Sequence, residues 1–461
     1  MMALRTAEQV IDQALAALAP HRGVVIVRDG SDAEVRFANN TVTTNGVRSS
    51  RSVTVIAMVT RDCGMATGSA TRSGDSDPAA LVAAALAEAS TAPLAHDAAD
   101  LVDPVVDANF SDAAVRNDLS ILDPVLGGLG DLLERAEGHG VTVAGFAEHS
   151  METTSVGTTT GLRRRFVQPT GSFQLVGRAD GGARSSWVGT ATADFTDVDL
   201  GGIEAEIHRR LDWGKRQVAL PAGRYETLLP PSAVADLMAY ATWMAGGQDA
   251  EDGGTVFSSA SGGTRVGDRL SALPFTLASD PFALGLECLP FVVATASGSS
   301  QSVFDNGLPL APTTWIDSGR LSNLHYHRAG AARSGVAATP MIDNVALTCD
   351  GGAGSIEDLI SSTERALLVT CLWYIRIVDP ATLLLTGLTR DGVYLVQDGA
   401  VVAQVNNYRF NESPLDVLAK TTEVGASVRT FGREFGEDFN RMAACPLRVA
   451  DFNMSSVSKA N

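Results

Sequence analysis

Two histidines separated by one residue, His325 and His327, have the spacing best suited to metal chemistry in this chain. On a strand, residues two apart point to the same face, so a His-x-His pair can chelate zinc or copper. A catalytic zinc also needs a third protein ligand and an open position. The spacing does not select among the available third ligands, which are Asp317, Asp343 and Cys349. We interpret the two histidines as surface or hydrogen-bonded side chains and keep a metal site built on them as an alternative.

The other side chains with catalytic chemistry lack the neighbours that hydrolases need. One Gly/Ser-rich segment contains Ser297, Ser299, Ser300 and Ser302. Because no Gly-x-Ser-x-Gly elbow is present and no histidine lies near these serines in sequence, a Ser-His triad is not predicted. The paired carboxylates are Asp249, Glu251 and Asp252. They lie in a glycine-rich stretch, which predicts a solvated loop.

The cysteines argue against a disulfide framework. They are odd in number, widely spaced and without a Cys-x-x-Cys pair: Cys63, Cys288, Cys349, Cys371 and Cys445. This usage favours reduced thiols in a cytoplasm. Cys371 lies in residues 366–378, an apolar segment predicted to be one strand, and we interpret it as a small buried thiol. At the start of the chain, Thr6 and Gln9 predict a helix with a capping box, and no export signal is predicted.

Residues 220–247 are the stretch around which the other elements are organised. They predict a short strand at residues 225–229, a corner made by Pro230 and Pro231, and then a helix. The helix has apolar residues at i, i+3, i+4 and i+7, which are Val234, Leu237, Met238 and Ala241. Pro231 suits the first helical turn, where its missing N–H would have had no partner.

The segments before and after this corner predict an α+β fold. In the N-terminal half, strands are predicted at residues 24–28, 33–39, 41–44, 52–60 and 63–70. Turns are predicted at Asp29-Gly30, Asn39-Asn40 and Asn45-Gly46, and a helix at residues 79–90 follows Asp77 as its N-cap. Many short strands follow the corner. We predict two domains: residues 1–215 with antiparallel sheets and packed helices, and residues 216–461, β-rich with the strand-to-helix corner.

Composition narrows the possible partners. The chain has 461 residues, 45% of them hydrophobic and 19% charged, which is typical of globular proteins. A formal net charge of −18 argues against binding to nucleic acid or to anionic membrane surfaces. The apolar runs are far shorter than the ~18 residues that a membrane-spanning helix requires.

Motifs along most of the chain resemble, in order, the TldD/PmbA peptidase family. In the N-terminal half they are Phe-Ala-Asn-Asn at residues 37–40, Gly-Val-Arg at 46–48, Gly-Met-Ala-Thr at 64–67 and the Leu/Ala helix at 81–89. In the C-terminal half they are Phe-Asp-Asn-Gly at residues 304–307, Ile-Asp-Ser-Gly-Arg-Leu at 316–321 and the Gly-rich hairpin at 392–399.

The resemblance implies a specific role. In this family the strand-to-helix corner can carry His-Glu-x-x-x-His, a zinc site, whereas residues 230–235 here are Pro-Pro-Ser-Ala-Val-Ala. No histidine lies between His208 and His325. Cys371 lies near the place where the zinc-bearing relatives keep a thiolate ligand, but the partner histidines are absent. The resemblance therefore identifies the chain as a zinc-less, TldE/PmbA-like subunit without catalytic residues or a metal of its own.

The partner implied by the resemblance is a TldD-type subunit that carries the motif and the zinc. The pair would degrade or trim unfolded or modified peptides, held as extended strands in a chamber that both subunits enclose. The residues that bind the peptide are unknown. Two other functions stay open: an independent metallopeptidase using His325 and His327, and a non-catalytic peptide-binding homodimer.

Overall fold

The N-terminal half contains one six-stranded antiparallel sheet. The computed structural model describes residues 5–61 and 63–458. The strands are β1 Arg22–Ala38, β2 Thr41–Arg61, β3 Gly64–Ser73, β4 Thr142–Thr158, β5 Arg163–Ala179 and β6 Arg184–Thr192. Their order across the sheet is β3-β2-β1-β4-β5-β6, so β3 and β6 are its edges.

These strands are longer than the sequence predicts. Asp29-Gly30 and Asn45-Gly46 lie inside β1 and β2, where Gly30 pairs with Ser50 and Gly46 with Glu34. The predicted turns at both places are wrong, because β1 has a hydrogen-bonded neighbour on each side and the continuous ladder overrides the local turn preference. The turn at Asn39-Asn40 is confirmed, with φ of 50° and 58°.

The two faces of this sheet have different partners, because successive side chains on a strand point to opposite faces. Val25 and Val27 face a cluster with the helices α1 Ala7–Leu18 and α2 Pro78–Thr91. Further along the same sheet, β1, β4 and β5 pack against α3 Asp123–Gly138 and α4 Leu200–Trp213. The capping box of α1 and the Asp77 N-cap of α2 are confirmed.

The other face of the sheet packs against the C-terminal half. Val24 and Ile26 lie in one buried cluster with Phe291, Val303 and Phe304. The N-terminal sheet is therefore covered by helices on one face and by C-terminal loops on the other. The boundary between residues 1–215 and 216–461 stays a prediction.

The C-terminal half is built on two further sheets. The strands are β7 Gln217–Val218, β8 Gly223–Leu229, β9 Phe275–Ser279, β10 Thr313–Asp317, β11 Arg320–Leu321, β12 Val345–Cys349, β13 Arg365–Val369, β14 Leu372–Asp379, β15 Leu384–Thr389, β16 Val393–Gln397, β17 Ala400–Val405, β18 Tyr408–Glu412, β19 Thr421–Val424, β20 Val428–Thr430, β21 Met442–Ala444 and β22 Leu447–Val457. One sheet has the order β11-β10-β9-β12-β21-β20. The larger has the order β14-β15-β18-β22-β8-β13-β16-β17-β7, with β19 paired to β22.

Short helices complete this half: α5 Pro231–Trp243, α6 Gly247–Glu251, α7 Arg328–Ser334, α8 Ile356–Ser361 and α9 Pro414–Lys420. Single 3₁₀ turns occupy Leu119–Leu122, Asp180–Gly182 and Val303–Asp305. The prediction of an α+β fold with a β-rich C-terminal part and a strand-to-helix corner is confirmed. None of the helices in residues 5–61 and 63–458 has the length and apolar character needed to cross a bilayer.

The predicted single strand at residues 366–378 is wrong. The chain forms β13 and β14, which lie at different places in the larger sheet. β13 pairs with β8 and β16, whereas β14 is an edge strand paired only with β15 within the described part of the chain. Cys371 lies between the two strands. Apolar periodicity alone does not reveal the break between the two strands, because Val369 before it and Leu372 after it are both apolar and buried.

Candidate functional site

The corner is formed by β8, Pro230 and α5, and α5 begins where the sequence predicts. Pro230 is extended, with φ −68° and ψ 164°, as expected for a residue that precedes proline. Pro231 occupies the first turn. The predicted apolar stripe is only part of the buried surface, because Ala233, Ala235 and Ala239 are buried as well. The helix packs against β8 and against strands of the smaller sheet, so it crosses the interior of the C-terminal half.

The side chains at the start of α5 do not fit a zinc ion. Residues 230–235 supply two prolines, a serine hydroxyl and aliphatic groups, and zinc in proteins is bound by thiolate, imidazole or carboxylate. The carboxylate on this helix belongs to Asp236, which has no exposed surface. Its hydrogen-bonding capacity is directed at another segment of the same chain.

Asp236 binds the backbone of residues 432–436, which we name the clasp loop. Its carboxylate accepts hydrogen bonds from the N–H groups of Arg433 at 2.9 Å, Glu434 at 3.1 Å and Phe435 at 3.1 Å. A Cβ at Gly432 would collide with the same carboxylate, so glycine permits the close approach. Burial raises the pKa of Asp236 to about 7, although the three N–H donors act in the opposite direction.

The clasp loop also contacts both halves of the molecule through its side chains. The Glu434 carboxylate accepts from the N–H of Tyr374 at 2.8 Å and from Arg376 at 3.0 Å, both on β14. The Arg433 guanidinium lies over the rings of Trp187 and Trp373, at 5.2 and 4.6 Å from their centroids. Since Trp187 belongs to β6, the loop joins α5 to the N-terminal sheet.

Arg433 of the clasp loop makes two further polar contacts. Arg433 donates to Gln174 Oε1 at 3.2 Å and lies 3.8 Å from the Asp391 carboxylate. Sequence reasoning missed Asp236 and Arg433. The available signal was a lone acidic residue within an otherwise apolar helix, since a buried charge in a folded protein is paired or hydrogen-bonded.

Cys371 is fully buried close to this cluster. Burial, with the Asp391 carboxylate as a second cause, raises the pKa of its thiol well above the usual value. Its Sγ lies 3.8 Å from the Leu372 carbonyl oxygen. A thiol with a raised pKa carries little thiolate at neutral pH, and the thiolate is the nucleophile and metal ligand. This agrees with the interpretation of Cys371 as a buried structural thiol.

His325 is buried against α5 rather than displayed on a strand. Its Nε2 lies 2.8 Å from the Thr242 carbonyl oxygen and must donate there, because a carbonyl only accepts. Its ring packs edge-on against Trp315 with centroids 4.3 Å apart. Burial lowers the pKa of His325 to about 4. Nδ1 has no hydrogen-bond partner within residues 5–61 and 63–458.

His327 has a different role from His325, and the strand on which the pair was predicted is not formed. His327 is the N-cap of α7, and its Nδ1 accepts from the N–H of Gly330 at 3.2 Å. Both histidines are 1% exposed and hydrogen-bonded, which confirms the interpretation of surface or hydrogen-bonded side chains through the hydrogen bonds. Burial lowers the pKa of His327.

The three possible third ligands lie in separate elements. Asp317 ends β10, Cys349 ends β12, and Asp343 has an oxygen 3.8 Å from the Arg441 guanidinium. In the described part of the chain, no three His, Cys, Asp or Glu side chains converge as metal ligands. A metal site at His325 and His327 stays an untested alternative.

Ser299, Ser302, Asp249 and Glu251 form side-chain hydrogen bonds with carboxylate and hydroxyl groups rather than with histidines. Ser302 donates to the buried Asp97 at 2.6 Å, and Ser299 donates to Asp249 at 2.7 Å. Glu251 accepts from the Tyr326 hydroxyl at 2.7 Å. Asp249 and Glu251 lie on the helix α6, so the predicted loop is wrong for both, whereas Glu251 is exposed to solvent as predicted.

Comparisons with known proteins support a common architecture. A family model described as PmbA/TldA metallopeptidase C-terminal domain matches residues 222–456, more than half of the chain. No curated protein matches the sequence. The crystal structure of TldE from Thermococcus kodakarensis is similar, with a TM-score of 0.75 and 17% identity over 97% of this chain and 99% of that chain.

Two further crystal structures, both described as candidate modulators of DNA gyrase, have the same fold. The one from Thermotoga maritima has a TM-score of 0.75 and 16% identity over 97% of this chain and 100% of that chain. The one from Bacteroides thetaiotaomicron has a TM-score of 0.70 and 14% identity over 97% of this chain and 98% of that chain. At such identities these likenesses concern the fold.

Proposed function

Since this chain belongs to the PmbA/TldA metallopeptidase family, we propose that it is the non-zinc, TldE/PmbA-like subunit of a heteromeric TldD/TldE-type peptidase. Its partner is a TldD-type chain that carries His-Glu-x-x-x-His and the zinc. The pair acts in the cytoplasm on unfolded or modified peptides. This chain contributes chamber wall and strands that hold the substrate, and none of its own side chains is catalytic.

The observation that carries the proposal is the construction of the corner. A hydrolytic zinc needs protein ligands with one open position, which lowers the pKa of a bound water to ~7. The first turn of α5 offers no imidazole, thiolate or carboxylate, and Asp236 in the second turn accepts three N–H groups of the clasp loop. Freeing that carboxylate for a metal would leave three partly buried N–H donors without this acceptor.

The histidines elsewhere give little support to independent catalysis. His325 uses one ring nitrogen on the Thr242 carbonyl, and His327 uses one to cap α7. Metal binding at both would require His325 to present Nδ1 and His327 to present Nε2 from separate buried positions. We therefore favour the subunit function over the independent peptidase.

The test is co-expression of the full chain, tagged, with an untagged TldD-type relative. We expect the relative to co-purify, the pair to contain zinc by mass spectrometry, and the pair to cleave an unstructured fluorogenic peptide. The matched control is the relative with Glu→Gln in its His-Glu-x-x-x-His motif, which should assemble equally and cleave nothing. The tagged chain purified alone should contain no stoichiometric zinc and show no cleavage.

Two results would contradict the proposal. Stoichiometric zinc and turnover in the isolated chain, both lost in a folded His325→Asn/His327→Asn variant, would establish the independent peptidase. A stable dimer of this chain by light scattering, with no capture of the relative, would favour the homodimer.

A further inference from the structure

A cavity in the described part of the chain lies between the N-terminal sheet and the smaller C-terminal sheet, and we name it the groove. Its volume is about 450 Å³, within the range of ligand-binding pockets. Its walls come from β5 and β6 on one side and from β20 and the start of β21 on the other. The larger apolar side chains of the lining include Phe166, Leu286, Phe431 and Met442.

The first wall includes a stretch of strand edge without a neighbouring strand. β6 ends at Thr192, which pairs with Gly171, so residues 166–170 of β5 extend beyond it. Hydrogen bonds on this outer edge occur at alternate residues: Arg165 N–H donates to Asp107, and the Pro169 carbonyl accepts from Arg441. In an antiparallel strand, alternate residues direct their N–H and C=O groups to the same edge. Val167, which lies between Arg165 and Pro169 in this alternation, therefore directs both groups to the outer edge as well.

The second wall contains a matching free edge. β20 is the last strand of its sheet and pairs only with β21 in the described part of the chain. The Arg441 carbonyl accepts from the N–H of Val345 on β12, so by alternation Ala443 also directs its backbone to β12. Arg429 is opposite Ala443 and therefore directs its own N–H and C=O away from β21.

Apolar side chains at the rim complete the arrangement. Leu284 is 94% exposed and Phe282 is 65% exposed on the loop that supplies Gly285 and Leu286 to the groove, and Val428 of β20 is 50% exposed. Exposed apolar groups beside a pocket are typical of binding surfaces. Free main-chain groups on both walls with apolar groups between them suit an extended peptide, which offers main-chain donors and acceptors on its two sides.

We propose that the groove binds an extended, mainly apolar peptide segment by strand addition to β5 at Val167 and to β20 at Arg429. The inference deepens the proposed function and rests on it for the choice of a peptide as substrate. Arg429 and Asp197 both line the groove and form an exposed ion pair, with 3.3 Å between the charged atoms. This ion pair breaks when the peptide enters.

The test uses the full chain without any partner. The probe is a fluorescein-labelled peptide of alternating valine and serine, and binding is followed by fluorescence anisotropy. A second probe is N-methylated at alternate residues, which removes main-chain donors and keeps the side chains. We expect saturable binding of the first probe and about tenfold weaker binding of the second, as expected for the loss of one or two hydrogen bonds.

A variant that fills the groove provides an independent arm. On β6, Trp187 and Gly189 face Phe431, so by alternation Ala191 points to the same side. Ala191→Trp should weaken probe binding about tenfold or more, because the indole occupies part of the space. The matched control is Ala83→Trp on the exposed face of α2, which should bind as the unmodified chain does. Circular dichroism verifies that both variants are folded.

Several outcomes would overturn the assignment: no binding by the folded chain, equal binding of both probes, or unchanged binding by folded Ala191→Trp. Dimerisation that Ala191→Trp abolishes would show that a second copy occupies the groove. The two proposals fail separately. If the chain captures no TldD-type partner, binding of the probe to the isolated chain still supports the groove assignment. If a pair that contains Ala191→Trp is active and its affinity for peptide is unchanged, only the groove assignment is contradicted.

Discussion

The corner and the groove use the same segment of chain, residues 428–442, but satisfy their polar groups in opposite ways. At the corner, the Asp236 carboxylate and the clasp-loop N–H groups satisfy one another inside the protein. In the groove, Val167 and Arg429 line an open space between two sheets, and each has its main-chain groups on the outer edge of its strand. The carboxylate on α5 is therefore hydrogen-bonded within the chain, whereas the strand edges at Val167 and Arg429 have no neighbouring strand in the described part of the chain.

The two regions differ in what a site at each would require. A metal site depends on a few side chains of the right type, and the first turn of α5 has proline, serine and alanine. Strand addition depends on main-chain groups, which every residue carries, and thus persists through sequence change. Stability should therefore depend on the corner, and ligand binding on the groove.

The largest expected effect is on stability, at Asp236. Asp236→Ala should lower the free energy of unfolding by about 3 kcal/mol, because three N–H donors of the clasp loop lose their fully buried acceptor. Urea denaturation measures this change. The matched control is Asp252→Ala at an exposed carboxylate, with an effect within about 0.5 kcal/mol. Equal effects of the two substitutions would mean that the clasp loop does not stabilise the fold.

The next effect concerns the contact between the two halves. Arg433→Met keeps an unbranched side chain of similar reach and removes the cation between Trp187 and Trp373. It should cost about 2 kcal/mol, since Asp391 also loses one of its two charge partners, Arg433, and keeps Arg390. Urea denaturation gives the loss, and hydrogen exchange should show faster opening around β6. Arg433→Lys is the conservative control and should restore part of the stability.

The dependence of stability on pH should have opposite signs at two buried groups. Asp236 has a pKa raised from 3.8 to about 7. The stabilisation of the folded state that this shift provides is therefore present at low pH and is lost as pH rises through about 7. His325 has a pKa lowered from 6.5 to about 4, so its contribution is present above 6.5 and is lost as pH falls through about 4.

The measurement compares the unmodified chain with Asp236→Asn and His325→Gln by urea denaturation between about pH 4 and pH 7. The unmodified chain should have a free energy of unfolding that exceeds that of Asp236→Asn by less as pH rises. The corresponding difference from His325→Gln should increase as pH rises. Each slope is at most about 1.4 kcal/mol per pH unit for one proton. If both differences changed with pH in the same direction, the opposite pKa shifts of Asp236 and His325 would be contradicted.

The smallest effect on stability is expected in the groove. The ion pair between Arg429 and Asp197 is half exposed on both sides, so Asp197→Asn should change the free energy of unfolding by about 0.5 kcal/mol or less. The same change should raise affinity for the valine–serine probe about twofold, because the bridge no longer has to open. Weaker binding would indicate that Asp197 contacts the peptide.

Local elements were predictable where short-range chemistry decides them. The Thr6 capping box, the Asp77 N-cap and the Pro231 start of α5 depend on residues within one helical turn, and all three are confirmed. The split of residues 366–378 into β13 and β14, and the burial of His325 against α5, depend on partners far away in sequence. Periodicity carries no information about those partners.

By itself, the sequence determined the residue types available at the corner, the family and the α+β fold, since these follow from which side chains are present and in what order. Only the tertiary structure decided that Asp236 binds the clasp loop, across nearly 200 positions of sequence, and that two strand edges face one groove. The physical reason is that hydrogen bonds and free edges depend on which distant segments meet, and that is settled by packing rather than by local preference.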